Sequence, residues 1–216
     1  MRVNKFLAQN SGLSRRKADE AIKQGRVTID TKTAILGDQV VPESNVCLDD
    51  KPLQPYAYFQ TIILNKPVSY VCSRKGQGSQ TIYDLLPKEL RHLNPVGRLD
   101  KDSSGLLLLT NDGALAQKLS HPSNQKTKVY EVALDKPLAA KNKQQIQNGI
   151  ELEDGPSKLQ VKQLPGNKYE VKMHEGRNRQ IRRTFASLGY KVNKLHRTKF
   201  GSYSISSTRV GGFREA

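Results

Sequence analysis

Residues 97–113 read Gly-Arg-Leu-Asp-Lys-Asp-Ser-Ser-Gly-Leu-Leu-Leu-Leu-Thr-Asn-Asp-Gly. Residues 106–109 are four consecutive leucines, a run that is apolar on both faces when extended. Such a run belongs to a strand covered on both sides, in the middle of a sheet. Asn111-Asp112-Gly113 behind it is a turn signal ahead of a helix. In front of it, residues 94–105 gather Asp100, Arg98 and the glycines Gly97 and Gly105 in a loop. A loop held by a rigid buried strand is where proteins place reactive side chains. The same composition suits a tight turn with a solvated Asp and Arg, and composition alone leaves both open.

Outward from the leucine run, further short apolar stretches read as strands at residues 61–64, 128–134, 159–163 and 169–174. Helical spacing falls between them at 114–120, 139–147 and 179–188. The sequence therefore predicts an α+β domain with a largely antiparallel central sheet flanked by helices. Residues 4–10 and 14–24 read as two short helices, the second opened by Ser14 and closed by Gly25. A short strand follows at 27–29, and Val40, Val41, Val46 and Leu48 suggest more strands around a small core. The prolines at 52 and 55 interrupt any period, as a linker does. The expected layout is a first domain over 1–50, a linker over 51–60 and a catalytic domain over 61–216.

The 216 residues carry 36 Lys plus Arg against 20 Asp plus Glu, a formal charge of +16. A polyanion is the first partner to expect, because neutralising phosphates releases condensed counterions. No basic amphipathic helix with bulky apolar residues opposite is visible, which argues against a membrane surface. No apolar run reaches 18 residues and the amino terminus lacks a signal-peptide core, so a cytoplasmic protein, monomeric, is expected. Cys47 and Cys72 form no ligand spacing and read as reduced thiols. His92, His121, His174 and His196 are scattered, and nothing asks for a metal or other cofactor.

Two further constellations carry chemistry. In Lys126-Thr-Lys-Val-Tyr130 the side chains alternate, and Tyr130 is a packing residue or a site residue. Between Lys172 and Lys199 there are nine Lys plus Arg against one acid, Glu175. The spacing of Ile181, Phe185 and Leu188 buries one helix face there, so Arg177, Arg179, Arg182 and Arg183 crowd the rest, a density that favours phosphate contact.

At this point a resemblance becomes specific. GRLDKDSSGLLLLTNDG is similar to the signature of the RsuA/RluB branch of ribosomal RNA pseudouridine synthases, Lys128-Val-Tyr130 resembles its Lys-x-Tyr segment, and EGRNRQIRR resembles its third motif. The resemblance implies isomerisation of uridine in ribosomal RNA or a ribosomal assembly intermediate, without a cofactor. It implies Asp100 as the catalytic carboxylate, Tyr130 as a base-stacking residue, Ile181 as an aliphatic residue under the flipped base and Arg182 as the partner of Asp100. Such an arginine would keep a buried carboxylate ionised. Arg98 is expected to hold or replace the extruded nucleotide. Asp102, two residues on in a strand-like approach, is expected to point away from the cleft, so that Asp102→Asn would retain most activity.

Residues 4–30, NKFLAQNSGLSRRKADEAIKQGRVTID, are similar to the S4 RNA-binding domain, a small αL-type module. Arg15, Arg16, Lys17 and Arg26 are its candidate phosphate contacts. It departs from the usual Val-Asn-Gly ending with Ile29-Asp30-Thr31, which puts the local turn in question. The rival function is a non-enzymatic S4-type RNA-binding or assembly factor, which would be marked by loss of Asp100, Tyr130 or Arg182.

Overall fold

The computed structural model describes residues 1–54 and 59–216. The chain divides into two compact units, Met1–Gln60 with Asn111–Gly113, and Thr61–Thr110 with Ala114–Ala216.

The first unit opens with α1 (Val3–Asn10) and α2 (Arg15–Lys23). Ser14 caps α2 by accepting the Lys17 amide at 3.2 Å, satisfying an amide that has no partner inside the helix. Val3, Phe6 and Leu7 of α1 and Ala18, Ala21 and Ile22 of α2 pack into one small core. A four-stranded sheet completes it: β1 (Val27–Ile29), β2 (Lys32–Thr33), β3 (Val46–Leu48) and β4 (Lys51–Pro52), in the order β2-β1-β3-β4. Val40 is buried and Val41 exposed, and neither joins a strand. Asp30 and Thr31 turn the chain between β1 and β2 with φ of 48° and 73°. Positive φ at both central residues is what a type I′ two-residue hairpin requires, so the turn forms without the usual Asn-Gly. The expected linker begins inside this unit. Lys51 and Pro52 pair with Leu48 and Cys47, and the Leu53 amide donates to Val46, because a proline at a sheet edge need not supply a ladder donor. Residues 55–58 lie outside the described residues.

The second unit is built on β5 (Thr61–Lys66), β6 (Asn94–Pro95), β7 (Ser104–Thr110), α3 (Gly113–Ser120), β8 (Lys128–Leu134), α4 (Ala140–Asn148), β9 (Ile150–Leu152), β10 (Gly155–Ser157), β11 (Gln160–Gln163), β12 (Lys168–Met173), α5 (Gln180–Ala186), β13 (Val192–Phe200), β14 (Tyr203–Ser204) and β15 (Phe213–Glu215). Its main sheet runs β11-β12-β8-β13-β7-β5-β15, with β14 on β13 and β6 on β7. Every strand pairing in that sheet is antiparallel except β13 with β7. The four leucines are fully buried and divide between two cores: Leu107 and Leu109 face the larger, Leu106 and Leu108 the smaller. That two-sided burial is what the uninterrupted apolar run required.

The longest strand, β13, was not expected. Its inward residues include a buried arginine, and two register shifts against β8, at Val192/Lys194 and Arg197/Lys199, break the alternation that identifies a strand. Where β13 meets β7, Gly105 has φ +106°, and a Cβ there would collide with the Arg197 backbone. Glycine is therefore dictated at that position by close approach and by conformation. Among the described residues no helix is long and apolar enough to cross a membrane.

Candidate active site

The loop ahead of β7 is anchored from below. Lys66, at the end of β5, is fully buried, and its ammonium donates to the carbonyls of Pro67 (3.0 Å), Asp100 (3.0 Å) and Ser103 (2.7 Å). All three of its protons are used, so an ion that burial would otherwise expel holds both ends of the turn that displays Asp100. Burial pulls its pKa below the ordinary lysine range. Cys72 clasps the neighbouring residue: the Leu99 amide donates to Sγ and the thiol donates to the Leu99 carbonyl, both at 3.4 Å. The Ser103 amide closes the turn on the Asp100 carbonyl at 3.1 Å.

The opposing wall comes from the start of α5. Arg179 sits in the left-handed region at φ 48° and grips Asp102 with two bonds, Nη1 to Oδ1 at 3.0 Å and Nη2 to Oδ2 at 2.8 Å. The same guanidinium lies 3.8 Å from Oδ2 of Asp100. Arg182 places Nε 3.3 Å from Oδ2 of Asp102, and donates to the carbonyls of Asp102 (2.8 Å) and Val192 (2.7 Å). The expected pairing of Arg182 with Asp100 is therefore not found: Arg182 is bound to Asp102, and among the described residues Arg179 is the cation that pairs with the Asp100 carboxylate. Asp102 does not point idly away either. Residues 101–102 form a turn rather than a strand, which swings the carboxylate to the two arginines. Arg179's hydrogen bonds hold the Asp102 carboxyl below the usual range.

Asp100, Tyr130 and Ile181 all line one cavity of about 510 Å³, together with Arg98 and Arg179. A volume of this order holds a small ligand. Tyr130 and Ile181 are buried and supply apolar faces beside Leu195 and Met173, while the Asp100 side chain is 37% exposed. Tyr130 stands on β8 between Val171 of β12 and Arg197 of β13. Arg98 is exposed at the cavity edge and has no hydrogen-bond partner among the described residues.

Other expected RNA contacts are occupied. Arg177 donates to the carbonyls of Asp154, Gly155 and Pro156 at 2.6–2.8 Å and pairs with the Asp154 carboxylate at 3.0 Å. Arg183 makes two bonds to the same carboxylate, at 2.9 and 2.7 Å, and one to the Asn178 carbonyl. Both arginines brace the start of α5, and Arg177 also lines the cavity. In the first unit Arg15, Arg16 and Lys17 are exposed along α2, whereas Arg26 makes two 2.6 Å bonds to Asp49.

Lys66, Lys128 and Arg197 were missed as site residues. For Lys66 the signal was present: a lysine closing an apolar strand directly before Pro67 has no solvent-facing position to take.

The family described as "RNA pseudouridylate synthase" matches residues 60–187, and that described as "S4 domain" matches residues 1–46. An "Uncharacterized RNA pseudouridine synthase" of Aquifex aeolicus (strain VF5) is 36% identical over 224 residues, covering 100% of this chain and 90% of that protein. The "Dual-specificity RNA pseudouridine synthase RluF" of Escherichia coli (strain K12) is 35% identical, covering 100% and 75%. The "Ribosomal small subunit pseudouridine synthase A" of Yersinia pestis is 33% identical, covering 98% and 92%. A solved structure, "Crystal structure of pseudouridylate synthase", superposes with a TM-score of 0.73 at 34% identity, covering 100% of this chain and 96% of that one.

Proposed function

The chain belongs to the RNA pseudouridylate synthase family, with an S4 domain at its front, and from that premise we propose that it isomerises one uridine of ribosomal RNA through Asp100. Duplex RNA buries its bases in a deep, narrow groove, so the target is extruded from a loop or bulge at a cost of a few kcal/mol. The extruded base lies between Tyr130 and Ile181, and Arg98 occupies or steadies the place it left. The reaction breaks the bond from ribose C1′ to uracil N1 and makes one to C5. The C5 proton is lost, N1 gains one, and no atom is added. Asp100 serves as nucleophile or assists elimination of the base, and Arg179 neutralises it across the cleft. The supporting observation is that Asp100, Tyr130 and Ile181, distant in sequence, line one cavity of nucleotide size. The enzyme acts as a monomer in the cytoplasm, on ribosomal RNA or an assembly intermediate. Mapping pseudouridine at nucleotide resolution in ribosomal RNA from cells with and without the protein tests the reading. One site lost with the protein is expected, and no difference would overturn it.

Tyr130→Phe should be milder than Tyr130→Ala in single-turnover assays, because Phe keeps the stacking face and Ala loses about 1 to 3 kcal/mol of it. Equal and complete loss in both would make the hydroxyl the essential part.

Asp102→Asn should slow conversion roughly 10- to 100-fold, since it releases Arg179 and Arg182 from the geometry that sets the wall beside Asp100. RNA affinity should change little. A mutant with wild-type turnover would mean that the arginines hold their places unaided.

The S4 module supplies affinity. Replacing Arg15, Arg16 and Lys17 together by Gln should weaken RNA binding. The slope of log affinity against log salt should fall by about 0.7 to 0.9 for each phosphate that is no longer neutralised. The rate at saturating RNA should stay near wild type.

A further inference from the structure

Two cations in the cavity wall have no part in the chemistry above. Arg197 on β13 is 2% exposed, and its Nε donates to the Leu106 carbonyl at 2.8 Å. Its Nη2 is buried and has no hydrogen-bond partner among the described residues. Lys128 on β8 donates to the carbonyls of His174 (3.4 Å) and Glu175 (3.1 Å), groups that carry no full charge. Both cations lie over one ring, that of Phe200, at 5.1 Å for Arg197 and 5.4 Å for Lys128. The carboxylate nearest in effect, Glu175, is engaged elsewhere: Oε1 accepts from Gln180 at 3.2 Å and Oε2 lies 3.1 Å from Nε of Arg177. Burial and the charge of Arg197 push the Lys128 ammonium below its ordinary range.

Two like charges against one aromatic ring, with a buried donor unused, cost the fold stability that an apolar pair would not. An incoming anion offsets that cost by accepting the free donor and neutralising the pair. Position says which anion. Lys128 and Tyr130 are two apart on β8 and so share a face, and Arg197 is the cross-strand partner of Tyr130. All three line the cavity that holds Asp100. A group bound there lies beside a base resting on Tyr130, and the anionic group that RNA carries next to every base is its phosphodiester.

We propose that Arg197 and Lys128 form a phosphate subsite inside the cleft, which takes a backbone phosphodiester flanking the extruded uridine and so fixes that nucleotide's sugar against Asp100. The proposal rests on the RNA-modifying reading above. It makes these two residues substrate-positioning groups, distinct from the surface cations that supply general affinity.

The test uses the full-length protein and a transcribed ribosomal RNA that the wild type converts. Binding is measured across a potassium chloride series for wild type, Lys128→Gln and Lys128→Arg, with thermal unfolding as the check on folding. Lys128→Gln should bind about tenfold more weakly, as expected for loss of a charged hydrogen bond. Its salt slope should be shallower by about 0.7 to 0.9, and Lys128→Arg should restore that slope. Independently of any folding defect, an uncharged methylphosphonate at the phosphates flanking the target should weaken the wild type. It should add no further loss to Lys128→Gln. A folded Lys128→Gln with the wild-type slope, or a methylphosphonate penalty equal in both proteins, overturns the subsite alone. A wild type that converts no ribosomal RNA overturns the reading beneath it, and the subsite with it.

Discussion

Asp100→Asn is expected to fold, to bind RNA as the wild type does, and to form no pseudouridine above a trace. Asn keeps the volume and planarity of the side chain and loses the negative charge on which attack or elimination depends. The anchoring of the loop should survive, because Lys66, Cys72 and Ser103 hold Asp100 and Leu99 through backbone atoms that the substitution leaves in place. Arg179 keeps its two bonds to Asp102, so the wall across the cleft should also stand. The measurement is single-turnover conversion at saturating RNA, with affinity and thermal unfolding alongside. Conversion at a substantial fraction of the wild-type rate would remove Asp100 from the chemistry.

Lys66→Met should have the largest effect on stability. Met matches the length of the lysine stem and removes, in a fully buried place, the ammonium that serves the carbonyls of Pro67, Asp100 and Ser103, of which the Asp100 carbonyl keeps the Ser103 amide. Each buried acceptor left bare costs about 1 to 3 kcal/mol, and removal of a buried charge returns part of that. A net loss of roughly 3 kcal/mol in denaturant unfolding is expected, in the upper range for single substitutions. The folded fraction should also convert RNA more slowly than wild type, because the Asp100 loop loses its lower anchor. An Lys66→Met protein as stable as wild type would mean that the loop is held by its own turn.

What was legible in the sequence followed from local rules. The leucine run at 106–109 could only be a doubly covered strand, and Ser14 could be read as a cap from its place before an apolar stripe. Asp100, Tyr130 and Ile181 were candidates through motifs alone, and all three line one cavity. The partner of Arg182 was not legible, because it depends on how a two-residue turn aims Asp100 and Asp102, and spacing along the chain does not fix that. Charge density was equally silent on the internal partner of Arg177 and Arg183. It cannot distinguish an arginine that faces phosphate from one that faces Asp154, more than 20 residues upstream. Lys66 and Arg197 escaped because cations read as solvent-exposed, and the backbone carbonyls that receive them exist only once the sheet has assembled.

The place of β13 in the sheet sets a schedule for the molecule's own construction. It is made after β5, β7, β8, β11 and β12, yet it lies between β8 and β7, which precede it by some 60 residues and more. Until it inserts, β5 with β7 and β8 with β12 and β11 are two separate ribbons, each with an open edge. A nascent chain short of Val192 thus carries Asp100 on one ribbon and Tyr130 on the other, with no floor joining them. Closure draws together residues 91 apart in sequence, Leu106 and Arg197, a long loop to close and a slow step by its topology. On the proposed roles of Asp100 and Tyr130, a chain truncated before Val192 is therefore expected to form no pseudouridine.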